Sequence, residues 1–307
     1  MDINDLTIIN ETSNTWSHIQ PFIKFSTSFV SFGKLFLKKK PDELKKIQAE
    51  ELGKVATEML RSGEIGYVDF VKFNNIMEIA KKADEIRASK VSAENIENEA
   101  PETKIGLDWF LRFCEYASNI SDEQMQNLWA GIWSGEAERP GSFSLRTLLS
   151  LSTLSKHEAE AFKRIASYSM HTGGVNFIYR DAKLSRKYSL DEDLFTMYDC
   201  GLLAESSEAV LIATAINKSI SLYTANIVWV NNCDAPTEYS FPITRFTPVG
   251  NELLKLVTFS RNEDYVIDCF KKIKQKNPGI KLTAHSIIQT FDDGDIEWEE
   301  EDLLQSK

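Results

Sequence analysis

Residues 106–154 limit the possible folds more than any other stretch, because they hold three of the chain's six tryptophans among several helix start and stop signals. Met125, Leu128, Trp129, Ile132 and Trp133 recur at spacings of three and four, which places them on one helix face. Ser121 with Gln124 predicts a capping box at the start of that helix, and Gly135 predicts the left-handed residue that ends it. Upstream, Leu107, Phe110, Phe113 and Ala117 make a second apolar stripe, so a helical hairpin joined at residues 118–120 is expected. Pro140 and Gly141 read as a turn, and Ser142 or Ser144 as the cap of a helix carrying Leu145, Leu148 and Leu149. Trp and Phe bury the most apolar area per residue, so the stripe reads as core and not as a cofactor slot.

The flanking sequence extends this helical reading. Pro41, Asp42 and Glu43 suit the first turn of a helix whose apolar face is Leu44, Ile47, Leu52, Val55, Met59 and Leu60, and Ser62 and Gly63 end it. Another helix is expected over 67–87, with Glu78 and Lys82 paired across one turn. Residues 88–104 are polar, contain Pro101 and read as a linker. Ser155 and Glu158 form a second capping box, starting a helix expected to reach Met170.

Beyond it the texture changes. Gly173 and Gly174 predict a turn, 176–179 a short strand, and Ser189 with Glu192 the cap of a short helix ending at Cys200 and Gly201. Strand-like runs follow at 209–215, 220–230 and 239–246, then a helix at 249–257. Helix, strand, two short helices, β-ribbon and helix is the order of a winged-helix module. After Pro278 and Gly279, residues 282–290 predict one more strand. The fold class is therefore mainly α with a smaller α+β part. Residues 1–40 form a polar N-terminus and Phe-rich amphipathic helix, 41–154 a helical domain with the Trp-rich block, 155–275 a winged-helix-like module, and 276–307 a short strand and acidic tail.

The runs DWFLRF, SDEQMQNLWAGIWSGE and RPGSFSLRTLLSLSTLSKHEAEAF, preceded by FNNIMEIAKKADEI, resemble a bacterial family known as domain of unknown function 2806. The likeness covers about half the chain, and residues 128–162 are its most specific part. A fainter likeness, in the LWA run and the helical front half, is to abortive-infection alpha proteins of phage defence. The resemblance implies a bacterial cytosolic setting and brings no site residues with it.

Charge and motif content narrow the function classes. The net charge is −11, and Asp292, Asp293, Asp295, Glu297, Glu299, Glu300, Glu301 and Asp302 supply most of it, leaving the rest of the chain near neutral. Cys114, Cys200, Cys233 and Cys269 form no CxxC pair, and His18, His157, His171 and His285 are as scattered, so neither a zinc site nor a disulfide framework is indicated. No GxSxG, Walker loop or GxGxxG signature occurs. Glu136, Glu138, Arg139 and Arg146 read as salt bridges at a helix end. The opening MDINDLTIINE is acidic and polar, unlike a signal peptide, and no apolar run is long enough to span a bilayer. A cytoplasmic protein is expected, with no cofactor, no metal and no identified small-molecule substrate.

Two segments stand out as candidate contact sites. Phe22, Phe25, Phe29, Phe32 and Phe36 repeat at helical spacing and are followed by Lys38, Lys39 and Lys40. Three surfaces fit such a stripe: the chain's own core, a helix of another copy or partner, or a membrane interface with lysines on anionic headgroups. Arg180, Lys183, Arg186 and Lys187 form a candidate phosphate patch. The helix after it, which would enter the major groove in a DNA reader, carries Asp191, Glu192, Asp193 and Asp199 and no base. Phosphate neutralisation supplies nearly all non-specific DNA affinity, so those acids oppose it. The expected function is a non-enzymatic interaction or regulatory protein whose partner is a second copy or another protein. A DNA-binding winged-helix regulator, a membrane-peripheral protein and an enzyme without a local motif stay open as alternatives.

Overall fold

The computed structural model describes residues 49–93, 105–172, 174–205, 209–215, 219–223, 226–291 and 296–305. The Phe stripe at 22–36 and Lys38–40 lie outside the described residues, as do Asp292, Asp293 and Asp295 of the acidic stretch. The chain divides into two units, Met1–Thr153 and Leu154–Lys307, and its architecture is mixed α and β, mainly helical.

The first unit is built from α1 (Ala49–Ser62), α2 (Tyr67–Ala93), α3 (Leu107–Ala117), α4 (Glu123–Glu138) and α5 (Leu145–Thr153). Gly63, at φ 78, stops α1 as its sequence predicts, and α2 runs on to Ala93, six residues into the expected linker's span. α2 lies along α4, burying Phe73, Ile76, Ile79, Ala80 and Ala83, while α3 packs against α5. Phe113 is the hub of the aromatic block: its ring stacks on Trp109 at 5.4 Å, meets Trp129 edge-on at 5.5 Å and lies 5.2 Å from Trp133. The Trp109 indole N–H donates to the Phe143 carbonyl at 2.7 Å, satisfying the one polar atom that ring carries into the core.

Three local expectations are corrected here, each by a tertiary partner. Ser121 is not the cap of α4. Its hydroxyl pairs with the Asn75 side chain, whose amide also donates to the Ser118 carbonyl at 2.8 Å, and Asp122 accepts from Gln124 N and Met125 N instead. Gly135 does not end α4, which runs to Glu138. A Cβ there would stand 2.8 Å from the Phe143 ring, so the glycine admits that ring against the helix. Glu136 makes no surface salt bridge: it is 2% exposed, and its two carboxylate oxygens accept from Gly141 N at 2.7 Å and Phe143 N at 3.0 Å. One buried acid thereby holds the turn that Gly141, at φ 87, makes possible.

The second unit runs α6 (Lys156–Ala166), β1 (Met170–Thr172), β2 (Val175–Tyr179), α7 (Ala182–Lys187), α8 (Asp191–Asp199), β3 (Val210–Ala215), β4 (Ser219–Tyr223), β5 (Ile227–Asn231), β6 (Thr237–Arg245), α9 (Pro248–Leu254), α10 (Glu263–Lys276), β7 (Leu282–Thr290) and β8 (Ile296–Trp298). The strands form one antiparallel sheet in the order β3-β6-β2-β1-β4-β5-β7-β8. The Ser155–Glu158 capping box starts α6 as predicted. The helix ends at Ala166, though, and Met170 opens β1. The run 220–230, expected as one strand, is the hairpin β4–β5, whose second strand is buried along its whole length. Leu190, not Ser189, is the N-cap of α8, and Ser189 adopts φ 55 before it.

α10 was not anticipated. Asn262 caps it by accepting from Tyr265 N at 2.9 Å, acids fill its first turn and lysines its last, which complements the helix dipole. Tyr265, Val266, Cys269, Phe270 and Ile273 are buried, and the Phe270 ring meets Trp229 of β5 edge-on at 4.3 Å. Arg261 Nε donates to the Ser169 carbonyl at 3.0 Å and Asn262 N to that of Ser167 at 2.8 Å, tying the start of α10 to the end of α6. Residues 296–305 of the acidic stretch are folded. β8 pairs with β7, and the Asp302 carboxylate accepts from Ala284 N and Leu304 N, both at 3.1 Å.

Candidate functional site

Four lysines gather where α7 faces α10. Asp181 caps α7 through Lys183 N at 3.0 Å and Leu184 N at 3.2 Å, and Leu184 turns into the core. That orientation leaves Lys183 and Lys187, one turn apart, on a common outer face. On α10 the buried stripe directs Asp268, Lys271, Lys272 and Gln275 to the side opposite that face. Lys183, Lys187, Lys271 and Lys272 thus line one open depression of about 360 Å³, with Asp268 as its single acid.

Asp268 is tightly held. The Tyr188 hydroxyl donates to its Oδ2 at 2.7 Å, and Lys187 Nζ pairs with the same oxygen. Burial alone would raise the Asp268 carboxyl, but the hydrogen bonds from Lys187 and Tyr188 outweigh it and hold the group below the usual carboxylate range. Tyr188 is pushed far above the ordinary phenol range, first by burial and then by the Asp268 carboxylate it donates to. Its ring is fixed by edge contacts to Tyr168 at 6.0 Å and Tyr265 at 5.2 Å. Lys183 and Lys272, by contrast, have no carboxylate partner among the described residues.

The four residues of the sequence-derived patch separate. Lys183 and Lys187 reach the depression, whereas Arg186 is exposed outside its lining and Arg180 donates to the Ala209 carbonyl at 3.4 Å. The lysines of α10 and the Tyr188–Asp268 pair were missed. Their signal was present, since Asp268, Lys271, Lys272 and Gln275 fall at helical spacing behind a well-marked cap.

A second surface is the outer face of α8. Asp193 is engaged by Arg164 in a two-pronged contact, Nε to Oδ2 at 2.8 Å and Nη2 to Oδ1 at 2.7 Å. Asp191 accepts from the Ser185 hydroxyl. Glu192 and Asp199 are exposed, and between them Phe195 is 65% exposed. Nearby, Glu160, Lys163, Arg164 and Ser167 with Phe259 line a shallow hollow of about 410 Å³.

Burial drives the thiols of Cys114 and Cys269 well above their usual range, and Cys200 is pushed up to about 11 by burial and by its hydrogen bond to Glu158. Among the described residues, no three His, Cys, Asp or Glu side chains are grouped to hold a metal ion, and no helix is long and apolar enough to cross a membrane.

The chain belongs to the family described as protein of unknown function (DUF2806), whose profile matches residues 74–269, well over half of the sequence. The match runs from within α2 to within α10, so it includes the aromatic block, Lys183, Lys187 and Asp268 and stops just before Lys271. The likeness to abortive-infection alpha proteins is not shown by it. No curated protein and no solved structure matches the chain.

Proposed function

We propose that this member of the family is a non-enzymatic interaction or regulatory protein that works through protein–protein contacts, with a winged-helix-like module in its second unit. The topology supports the module: α6, β2, α7, α8, β3 and β6 follow in winged-helix order, and β2, β6 and β3 are neighbours in the antiparallel order such a module uses. In chain order the β4–β5 hairpin falls between β3 and β6, as a wing loop does, while in the sheet it lies beside β1, and β1, β4, β5, β7 and β8 extend the sheet beyond the usual three strands.

One observation carries the functional reading. The helix in the position of a recognition helix, α8, has Asp191, Glu192, Asp193 and Asp199, no Lys or Arg, and an exposed Phe195. A duplex reader needs cations there, because phosphate contacts supply most of the affinity. An exposed aromatic rimmed by charge is instead the composition of a protein contact, where aromatic anchors dominate binding energy. The partner in this proposal is a second copy of the chain. A setting in phage defence rests on the faint likeness stated above and on nothing else.

Sedimentation of the full chain, with duplex-binding measurements beside it, tests the reading. We expect association at micromolar concentration, lost in Phe195→Ser with the melting temperature unchanged, and no salt-sensitive duplex binding. A monomer at all concentrations that binds duplex DNA through Arg180, Lys183, Arg186 and Lys187 would favour the DNA-binding alternative. Flotation with anionic liposomes, lost when Lys38, Lys39 and Lys40 are changed to Gln, would favour the membrane-peripheral one.

A further inference from the structure

We propose that the depression between α7 and α10 binds a compact phosphate-bearing anion, a di- or triphosphate group held by Lys183, Lys187, Lys271 and Lys272. Two lysines one turn apart on α7 and two adjacent lysines on α10 converge on a single hollow of about 360 Å³. That volume lies at the small end of ligand sites, which run from roughly 300 to 1,000 Å³. Lysine is a compact point charge that contacts phosphate oxygens without needing the planar fork of arginine.

The charges in the hollow are arranged unequally. Asp268 is the one acid in the lining, and Lys187 with Tyr188 already occupies it. It therefore anchors the wall between the helices, and its charge is already shared by Lys187 and Lys271. Lys183 and Lys272, on opposite walls, have no carboxylate partner among the described residues. Like charges gathered in one concave surface raise each other's energy, and an anion lying between them removes that repulsion.

The surroundings select a small anion over a polymer. α7 abuts α8 through the hydrogen bond from Ser185 to Asp191, and Asp191 and Glu192 are exposed there. Glu263 and Asp264 are exposed one turn before Asp268 on α10. A nucleic-acid backbone crossing the hollow would set its next phosphates against these acids, whereas a di- or triphosphate ends before it meets them. This site is separate from the α8 face, so it stands or falls independently of the protein-contact reading.

Calorimetric titration of the full chain with sodium pyrophosphate at low ionic strength tests the proposal, with sodium sulfate and a short duplex DNA as parallel titrants. The variants are Lys183→Gln/Lys272→Gln, which removes one cation from each wall, and Lys163→Gln on the second hollow as control. We expect saturable one-to-one pyrophosphate binding that weakens by about tenfold or more in the double variant, with an unchanged melt, and is unaffected in the control. Absence of saturable binding, or equal affinity in the double variant, overturns the site. Equal affinity for sulfate overturns the phosphate class, and duplex binding tighter than pyrophosphate and lost in the double variant reassigns the hollow to nucleic acid.

Discussion

Glu136 and Asp268 are both half of a short hydrogen-bonded arrangement, yet the regions around them are built on opposite terms. Glu136 is enclosed by the aromatic block, and both its oxygens are committed to backbone N–H groups of the turn it holds. Asp268 lies at the surface between Lys187 and Tyr188, in a hollow where Lys183 and Lys272 have no carboxylate partner among the described residues. In the first region the carboxylate serves the packing. In the second, packing by Tyr168, Tyr188 and Tyr265 serves to hold charges in place. The lesson is that ordered polar contacts alone do not mark a site. Charge left over after those contacts are made does.

That contrast makes ordered predictions. The largest effect belongs to the aromatic block. Trp129 is fully buried, so Trp129→Ala should cost about 3–5 kcal/mol in chemical denaturation. A loss below about 1 kcal/mol would mean that the ring is dispensable and the comparison is false at its first term.

Glu136→Gln comes next. It keeps one acceptor oxygen but removes the charge that strengthens both contacts, and hydrogen bonds to charged groups contribute roughly 1.5–3 kcal/mol. Denaturation should show a loss in that range, with faster proteolysis at residues 139–143. An unchanged proteolytic pattern would separate the carboxylate from the turn.

Asp268→Asn should be milder, under about 1 kcal/mol near neutral pH, because its ion pair with Lys187 is part exposed and screened. Its signature is in acid. The folded carboxyl is held below its unfolded range, so its contribution is present above about pH 4 and is lost as pH falls through the lower folded value. Wild type and variant should therefore converge in stability once the pH has fallen below that folded value. Curves that stay parallel from neutral pH into acid would show that the pair carries no linkage.

Lys183→Gln alone should have the smallest effect, within about 0.5 kcal/mol, since it removes an exposed side chain without a carboxylate partner among the described residues. A clear destabilisation by this change would blur the line between the two regions.

Sequence legibility followed the same division. The helices of the aromatic block were readable because apolar residues at three-and-four spacing need no distant partner to declare a face. The misreadings in that block came from tertiary competition. Ser121 gives its hydroxyl to Asn75 on another helix, and Gly135 yields to Phe143 from the next turn. In the second unit, Lys183 and Lys187 were visible as a local cluster, but their counterparts on α10 lie far along the chain. Their cap at Asn262 and their spacing were legible. The juxtaposition was not, because it depends on the Arg261 and Asn262 contacts that tie α10 to the end of α6.

The sheet's two margins are chemically unlike. At one end, β8 carries exposed Glu297, and Glu299 and Glu300 follow, with Asp302 and Leu303 fastened to Ala284. At the other end, β3 is the uncharged run Val-Leu-Ile-Ala-Thr-Ala, with Val210 and Ile212 exposed and no strand beyond it among the described residues. Acids along a margin repel a second strand, while a bare β-branched margin invites one. Colloidal behaviour is therefore polarised: fibrous growth under mildly denaturing conditions would begin at β3, and a lysine in place of Ile212 would act as its gatekeeper.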